Sequence, residues 1–182
     1  MSTNTVTIFT KEFKDRLETL LKTIDKTFEN INAGGCAHFA KFLYPHLKEL
    51  TDDIKVIYCQ YYGSNDHLSV LKEYFNDYVK SGDIKDLDEI ETSHLMLVCE
   101  GYYIDSSGLY KSFKDFKKKN NILMFDEIGE VKFEELDTWC NNRKWNKVFE
   151  KKQLPKIQKV INKYFNKKLT IMERLNIYAS NQ

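Results

Sequence analysis

The sequence predicts an α+β fold in which helices at both ends of the chain flank a small antiparallel sheet. Apolar residues recur at three- and four-residue steps over residues 10–32 and again from Pro155 onward, as on one face of an amphipathic helix. The middle of the chain instead carries short runs of β-branched and aromatic residues, two of which meet at a Glu-Gly pair typical of a hairpin turn. Helices packed around antiparallel strands form an α+β arrangement.

The first helix has Thr10 as its N-cap and ends before the Gly34-Gly35 pair, which favours helix termination. A second helix is predicted to begin at Cys36 and to continue to about residue 50. Pro45 lacks a backbone donor, so it should kink or shorten this second helix. The apolar stripe of the first helix comprises Phe13, Leu17, Leu20, Leu21, Ile24, Phe28 and Ile31.

The central strands are predicted from their composition. Residues Ile54–Tyr62 (IKVIYCQYY) are rich in strand-forming side chains. Residues 65–81 return to helical spacing, and the acidic residues 83–91 are typical of a loop or a short helical turn. Two further apolar runs, SHLMLVCE and YYIDSS, flank Glu100-Gly101, where glycine supplies the positive φ that a tight reversal requires. These runs predict an antiparallel hairpin.

The remainder of the chain is predicted to be mainly helical. The predicted elements are a helix from Leu109 to about Lys118, a strand at Ile122–Phe125, a helix over Phe133–Val148, a helix with Pro155 in its first turn, and a last helix at about 170–179. The 182 residues fit one domain. We divide it into an N-terminal helix at 1–32, a core at 33–126 and a helical extension at 127–182.

Composition and charge argue against several classes of protein. Lys and Arg number 28 against 27 Asp and Glu, so no electrostatic feature favours nucleic acid or an anionic membrane as a partner. The basic residues 111–119 are better explained as a solvated helix face. No apolar run reaches the ~18 residues of a membrane span, and the N-terminus lacks the basic and apolar regions of a signal peptide. We therefore expect a cytoplasmic protein.

The four cysteines, Cys36, Cys59, Cys99 and Cys140, are far apart and form no CxxC pair, which disfavours a disulfide framework and a zinc site. His46 and His67 have no Cys or acidic partners at ligand spacing, and no nucleotide-binding fingerprint is present. We expect no metal and no cofactor. In a reducing compartment, a cysteine followed by a distant histidine is instead typical of a nucleophile and its base.

Cys36 has the features of such a nucleophile. It is predicted in the first turn of a helix, where unpaired N–H groups and the helix dipole stabilise a thiolate. Gly34 and Gly35 present no side chains to an approaching substrate, and the Cys36 N–H can contribute to an oxyanion hole. Asn32 is the nearest upstream amide and a candidate oxyanion side chain, but it is also an ordinary helix terminator. Taken alone, Cys36 is better explained as a small buried apolar residue.

The predicted hairpin places a histidine beside a carboxylate. With the Glu-Gly pair as the turn, Met96 faces Asp105, and His94 projects from the same face as Met96. His94 and Asp105 are then diagonal neighbours, provided that the loop has an even number of residues. A carboxylate fixes the tautomer of an imidazole and stabilises its protonated form. Separately, His94 is explained as an edge-strand histidine and Asp105 as a turn residue. Together with Cys36, they predict a Cys-His-Asp triad.

The segments GGCAHFAKFL and SHLMLVCEGYYIDSSG resemble the nucleophile helix and the His/Asp hairpin of papain-like and transglutaminase-like cysteine proteins. They are similar in particular to segments of small uncharacterised bacteriophage proteins that combine a GGC helix with a downstream histidine, paired tyrosines and an aspartate. The resemblance covers residues 33–45 and 93–108. It implies a papain-like core, in which the nucleophile helix packs on a small antiparallel sheet, and thiol-dependent acyl chemistry. For a phage-encoded chain it implies the host cytoplasm.

The triad predicts a thiol-dependent hydrolase or acyltransferase that acts on an amide or thioester bond of a protein or peptide, in the manner of a peptidase, deamidase or isopeptidase. The alternative is a non-enzymatic interaction or inhibitor protein on the same fold. An open groove at Cys36 would favour the enzyme, and a sealed Cys36 would favour the alternative. The sequence does not distinguish among substrates or oligomeric states.

Overall fold

The computed structural model describes residues 7–28, 31, 35–62, 91–120, 122, 124–141 and 152–166. Over these residues the chain forms an α+β structure around a five-stranded antiparallel sheet, as the sequence predicts. The helices predicted at 65–81 and 170–179 lie outside the described residues. So do most of the acidic loop and the candidate site residues Asn32 and Gly34.

The elements follow in chain order as α1 (Lys11–Thr27), α2 (Cys36–Lys48), β1 (Ile54–Tyr62), β2 (Glu91–Cys99), β3 (Tyr102–Asp105), β4 (Gly108–Tyr110), α3 (Phe113–Lys119), β5 (Met124–Val131), a 3-10 turn (Phe133–Glu135), α4 (Leu136–Asn141) and α5 (Leu154–Asn166). The strands lie in the order β4-β3-β2-β1-β5. The two long strands β1 and β2 are therefore central.

Helices α1, α2 and α5 begin where the sequence predicts. The Thr10 hydroxyl accepts a hydrogen bond from the Phe13 N–H (3.2 Å) at the start of α1, and Gly35 is the N-cap of α2. Helix α2 continues through Pro45 to Lys48. Pro155 lies in the first turn of α5, as expected. No helix in the described part of the chain is long and apolar enough to cross a membrane.

Each face of the sheet carries its own hydrophobic core. The larger core lies between the sheet and α1, α2 and α5, and it includes Cys36. The smaller core lies on the opposite face under α3 and consists of Ile57, Cys59, Met96, Tyr110, Phe116 and Ile122. Alternate residues of β2 contribute to the two cores, which is the period-2 pattern of a strand buried on both faces.

The predicted hairpin of β2 and β3 is confirmed in its register. Cys99 pairs with Tyr102 and Leu97 pairs with Ile104 across the Glu100-Gly101 turn. Both turn residues have positive φ, 46° and 78°, as a two-residue hairpin turn requires. The Glu100 carboxylate also accepts a hydrogen bond from the Ile8 N–H (3.0 Å), which ties the N-terminal segment to the hairpin.

The helix predicted from Leu109 is wrong in its first residues. Leu109 and Tyr110 belong to β4, where they pair with Ile104 and Tyr103, and α3 begins only at Phe113. The spacing of the apolar residues there fits a helix equally well, so the pattern alone could not separate the two. The decisive interactions come from the Asp105 carboxylate, which binds the N–H groups of Ser107 and Gly108 in the turn before β4.

The strand predicted at Ile122–Phe125 is confirmed at Met124 and Phe125, but the observed strand extends further toward the C-terminus and Ile122 lies outside it. The strand observed is β5, which pairs with β1 as far as Val131. β5 therefore crosses residue 126, the expected end of the core. The helix predicted over 133–148 begins as a 3-10 turn before α4, and its later residues lie outside the described ranges.

Candidate active site

Asp105 ends β3, and its carboxylate organises the turn into β4. The Oδ1 atom accepts hydrogen bonds from the N–H groups of Ser107 and Gly108, both 2.9 Å, and from the Tyr110 hydroxyl, 3.1 Å. Asp105 is 2% exposed. Three donors on one oxygen fix the plane of the carboxylate and leave Oδ2 to point elsewhere. Asp105 therefore stabilises the turn into β4, as the sequence predicts, and its Oδ2 atom can bond to a different residue.

That second role is a hydrogen bond to His94, as the hairpin register predicts. The Nε2 atom of His94 lies 3.2 Å from Oδ2 of Asp105, and His94 is 3% exposed. A protonated Nε2 donates to the carboxylate, which sets the tautomer of the ring and leaves Nδ1 for another partner. The diagonal placement of the two side chains is thus confirmed.

Cys36 is the first residue of α2, and its thiol is hydrogen-bonded to the His94 ring. Because Nε2 is engaged by Asp105, Nδ1 is the nitrogen available to the thiol. Cys36 is 5% exposed. Cys36, His94 and Asp105 therefore form one hydrogen-bonded chain. Gly35, one of the predicted oxyanion residues, precedes Cys36 as the N-cap of α2.

The hydrogen bonds that join Cys36, His94 and Asp105 form where β3 stops pairing with β2. The β2–β3 ladder covers only Leu97–Cys99, so His94 lies beyond its end. Cys36 belongs to the core on one face of the sheet, whereas Met96 and Cys59, the neighbours of His94 on its own face, belong to the other. The short length of β3 thus lets side chains from the two faces meet at the edge of β2.

The environment of His94 favours its protonated form. Burial lowers the pKa of the imidazole, but the hydrogen bonds of Asp105 and Cys36 and their charges raise it, to a net value of about 10 against an ordinary 6.5. The Phe116 ring lies parallel to the imidazole with centroids 5.8 Å apart. An imidazolium held in this way can stabilise a thiolate at Cys36.

The raised pKa of His94 predicts a pH dependence of stability. The folded protein holds the proton more tightly than the unfolded chain, so the stabilisation is complete below pH 6.5 and is lost as the pH rises through about 10. We expect the unfolding free energy of the wild type to exceed that of His94→Gln most at the acidic end of this interval. Urea unfolding of both proteins across the interval measures the difference, and a difference that grows with pH would contradict the assignment.

The other cysteines have the properties of core residues. Burial raises the pKa of Cys59 and of Cys99 to about 12, and Cys140 is buried in α4. The Cys59 thiol lies 3.6 Å from the backbone oxygen of His94, which it faces across the β1–β2 ladder. The Cys59 and Cys99 thiols are therefore poor nucleophiles at neutral pH.

The histidine of the second half of α2 has a structural partner. His46 Nε2 lies 2.9 Å from Asn162 Oδ1, and its ring stacks on Phe165, with centroids 4.7 Å apart. His46 therefore links α2 to α5. Within the described residues, no group of three or more His, Cys, Asp or Glu side chains is placed to hold a metal ion.

Two residues that contact the triad were not singled out from the sequence. Tyr110 donates to Asp105, and Phe116 covers the His94 ring. The prediction of a helix from Leu109 concealed Tyr110, because only in a strand does it return to the same face as Asp105. Phe116 carried no signal beyond that of an apolar helix position.

Comparison of the chain with protein-family models, with curated proteins and with solved structures finds no match.

Proposed function

We propose that this protein is a thiol-dependent hydrolase or acyltransferase that uses Cys36 as nucleophile, His94 as acid and base, and Asp105 as the residue that orients His94. The observation that supports the proposal is the continuous hydrogen-bonded chain from Cys36 through His94 to Asp105. A buried carboxylate that accepts three hydrogen bonds on Oδ1 and bonds to the imidazole through Oδ2 is suited to hold that imidazole in one orientation.

In the proposed reaction the Cys36 thiolate attacks the carbonyl carbon of an amide or thioester. The C–N or C–S bond of the substrate then breaks, and the proton on His94 Nδ1 passes to the leaving group. This leaves an acyl group on the Cys36 sulfur and a neutral His94. His94 next removes a proton from water or from an amine, which attacks the thioester, releases the acyl product and restores the thiolate. Water gives hydrolysis and an amine gives acyl transfer.

The start of α2 is suited to stabilise the tetrahedral intermediates. Gly35 is the N-cap of α2 and Cys36 is its first residue, so the Cys36 N–H lies at the positive end of the helix dipole. The Cys36 N–H is therefore a candidate oxyanion donor, and the helix dipole favours negative charge at the same place.

The order of the catalytic elements supports a papain-like core. The cysteine begins a helix packed on the sheet, the histidine follows on a central strand, and the aspartate ends the adjacent strand. With that core, the proposed substrate is a protein or peptide, or a side-chain amide or isopeptide bond within one, and the proposed location is the cytoplasm.

The proposal predicts selective alkylation of Cys36 in the native protein. We expect iodoacetamide to modify Cys36 at least about 10-fold faster than Cys59 or Cys99 at neutral pH, because Cys36 is hydrogen-bonded to His94 whereas burial raises the pKa of the other two thiols. His94→Gln should remove most of this advantage. Peptide mapping by mass spectrometry after short exposures measures the rate at each cysteine.

His46→Gln is the matched control for this experiment. It makes the same substitution at a histidine of α2 that bonds to Asn162 rather than to the triad. The proposal expects His46→Gln to label as the wild type does. Equal labelling of the cysteines, with no response to His94→Gln, would overturn it.

The burial of the triad favours a second candidate function, that of an interaction protein whose triad has only a structural role. Cys36, His94 and Asp105 are each at most 5% exposed. In that case Cys36 would resist alkylation in the native state as Cys59 does, and His94→Gln would change stability alone. The alkylation experiment therefore separates the two candidates.

A further inference from the structure

The hydroxyl of Tyr110 closes a ring of contacts around His94 and Asp105. It donates to Asp105 Oδ1 over 3.1 Å, while the Tyr110 ring meets Phe116 edge-on with centroids 5.3 Å apart. Phe116 in turn lies parallel to His94, and His94 bonds to Asp105. We propose that Tyr110 is a positioning residue of the active site, which holds Asp105 Oδ1 and limits the negative charge that Oδ2 presents to His94.

This inference rests on the proposed function, because a positioning residue presupposes a reaction. The contacts of Tyr110 with Asp105 and Phe116, however, do not depend on the proposed reaction. Tyr110 is 4% exposed, so no solvent competes for its hydroxyl. Burial and the charge of Asp105 raise the pKa of the Tyr110 phenol far above its usual range, so the group remains a protonated donor at any working pH.

Tyr110 differs from the other two donors to Oδ1 in its origin. The N–H groups of Ser107 and Gly108 belong to the turn and hold Asp105 in every variant that keeps the turn. The hydroxyl comes from a side chain of β4, and the Asn120 side chain hydrogen-bonds to it from the end of α3. A hydrogen-bonded chain of this kind strengthens each donor in turn. The Tyr110 hydroxyl is therefore the donor to Asp105 Oδ1 that a substitution can remove while the two backbone donors stay in place.

The other ionisable groups around the pair are unchanged when only the hydroxyl is removed. Within the part of the chain that the structure describes, those that face His94 are Cys36 from α2, Cys59 from β1 and Asp105 from β3. In the same part of the chain, those that face Tyr110, besides Asp105, are Asp25 from α1 and Lys119 from α3, whose Nζ lies 5.0 Å from the centre of the tyrosine ring. A shift of the His94 titration midpoint in Tyr110→Phe can thus be assigned to the loss of the Tyr110 hydroxyl.

Tyr103 supplies a matched control. It is the partner of Tyr110 across the β3–β4 ladder and packs on Phe113, with ring centroids 5.7 Å apart. Tyr103→Phe also removes a tyrosine hydroxyl, but from β3 rather than from β4. Both substitutions keep the aromatic ring and therefore the packing.

The experiment is an NMR titration of the His94 ring in the full-length protein. Removing a donor concentrates negative charge on the Asp105 carboxylate and strengthens its bond to Nε2. We expect Tyr110→Phe to raise the His94 midpoint by roughly half a pH unit. 3-Fluorotyrosine at position 110, a stronger donor of the same size, should lower it. Tyr103→Phe should leave the midpoint in place.

A midpoint that is unchanged or lowered in Tyr110→Phe would overturn the inference, as would equal shifts in the two phenylalanine variants. Because the titration does not depend on the reactivity of Cys36, it fails separately from the proposed function. If Cys36 reacts no faster than Cys59 but the midpoint moves as stated, the reaction is wrong and the coupling of Tyr110 to His94 stands.

Discussion

Cys36→Ser is expected to reduce the rate of acyl transfer or hydrolysis by at least about 10³-fold, because serine is a far weaker nucleophile than a thiolate when only an imidazole activates it. The substitution changes the volume of the side chain little, so the fold should be retained. Turnover of an activated ester or thioester, compared at equal protein concentration, measures the loss.

Cys140→Ala is the control for that loss. It removes a buried thiol from α4, a helix that contributes none of the three triad residues. The expected result is wild-type turnover in Cys140→Ala. Equal turnover in Cys36→Ser and the wild type would contradict the role of Cys36.

Asp105→Ala is expected to lower the unfolding free energy by about 3–5 kcal/mol, the range observed when one partner of a buried ionic pair is removed. The loss leaves His94 Nε2, two backbone N–H groups and the Tyr110 hydroxyl without their acceptor in a buried site. Urea unfolding at neutral pH measures the change. A decrease in the unfolding free energy of less than about 1 kcal/mol would contradict a structural role for the Asp105 carboxylate.

Asp105→Asn separates the structural role from the catalytic one. Its side-chain oxygen can still accept from the turn at the Oδ1 position, so most of the stability should return. The amide group would then face Nε2 and donate to it, which places the ring proton on Nδ1, the wrong nitrogen for a base toward Cys36. We expect Asp105→Asn to be far more stable than Asp105→Ala and comparably inactive.

The relation of His94 to Asp105 could be predicted because it depends on local rules. A Glu-Gly turn with positive φ at both residues makes a two-residue loop, and an even loop fixes which side chains share a face. The start of α2 at Cys36 followed equally from the glycine pair. The bond from His94 to Cys36 could not be derived in this way, because it depends on where β3 ends beside β2.

The elements that the sequence placed wrongly or only in part depend on tertiary contacts. Leu109 and Tyr110 form a strand because Asp105 binds two N–H groups of the turn and so directs the chain back along β3. β5 extends to Val131 because β1 offers it a long edge, although Gly129 and the acidic residues around it have low strand propensity. In both cases a pairing partner distant in sequence or a buried side chain overrides local preference.

The most direct test of the triad is to identify the residue that becomes acylated. The native protein is mixed with an activated thioester, quenched in acid and mapped by mass spectrometry. The proposed chemistry predicts an acyl group on Cys36 in the wild type, none at position 36 in Cys36→Ser, and slowed formation in His94→Gln but not in His46→Gln. Acylation spread evenly over the cysteines, or no acylation of Cys36 at all, would contradict the triad.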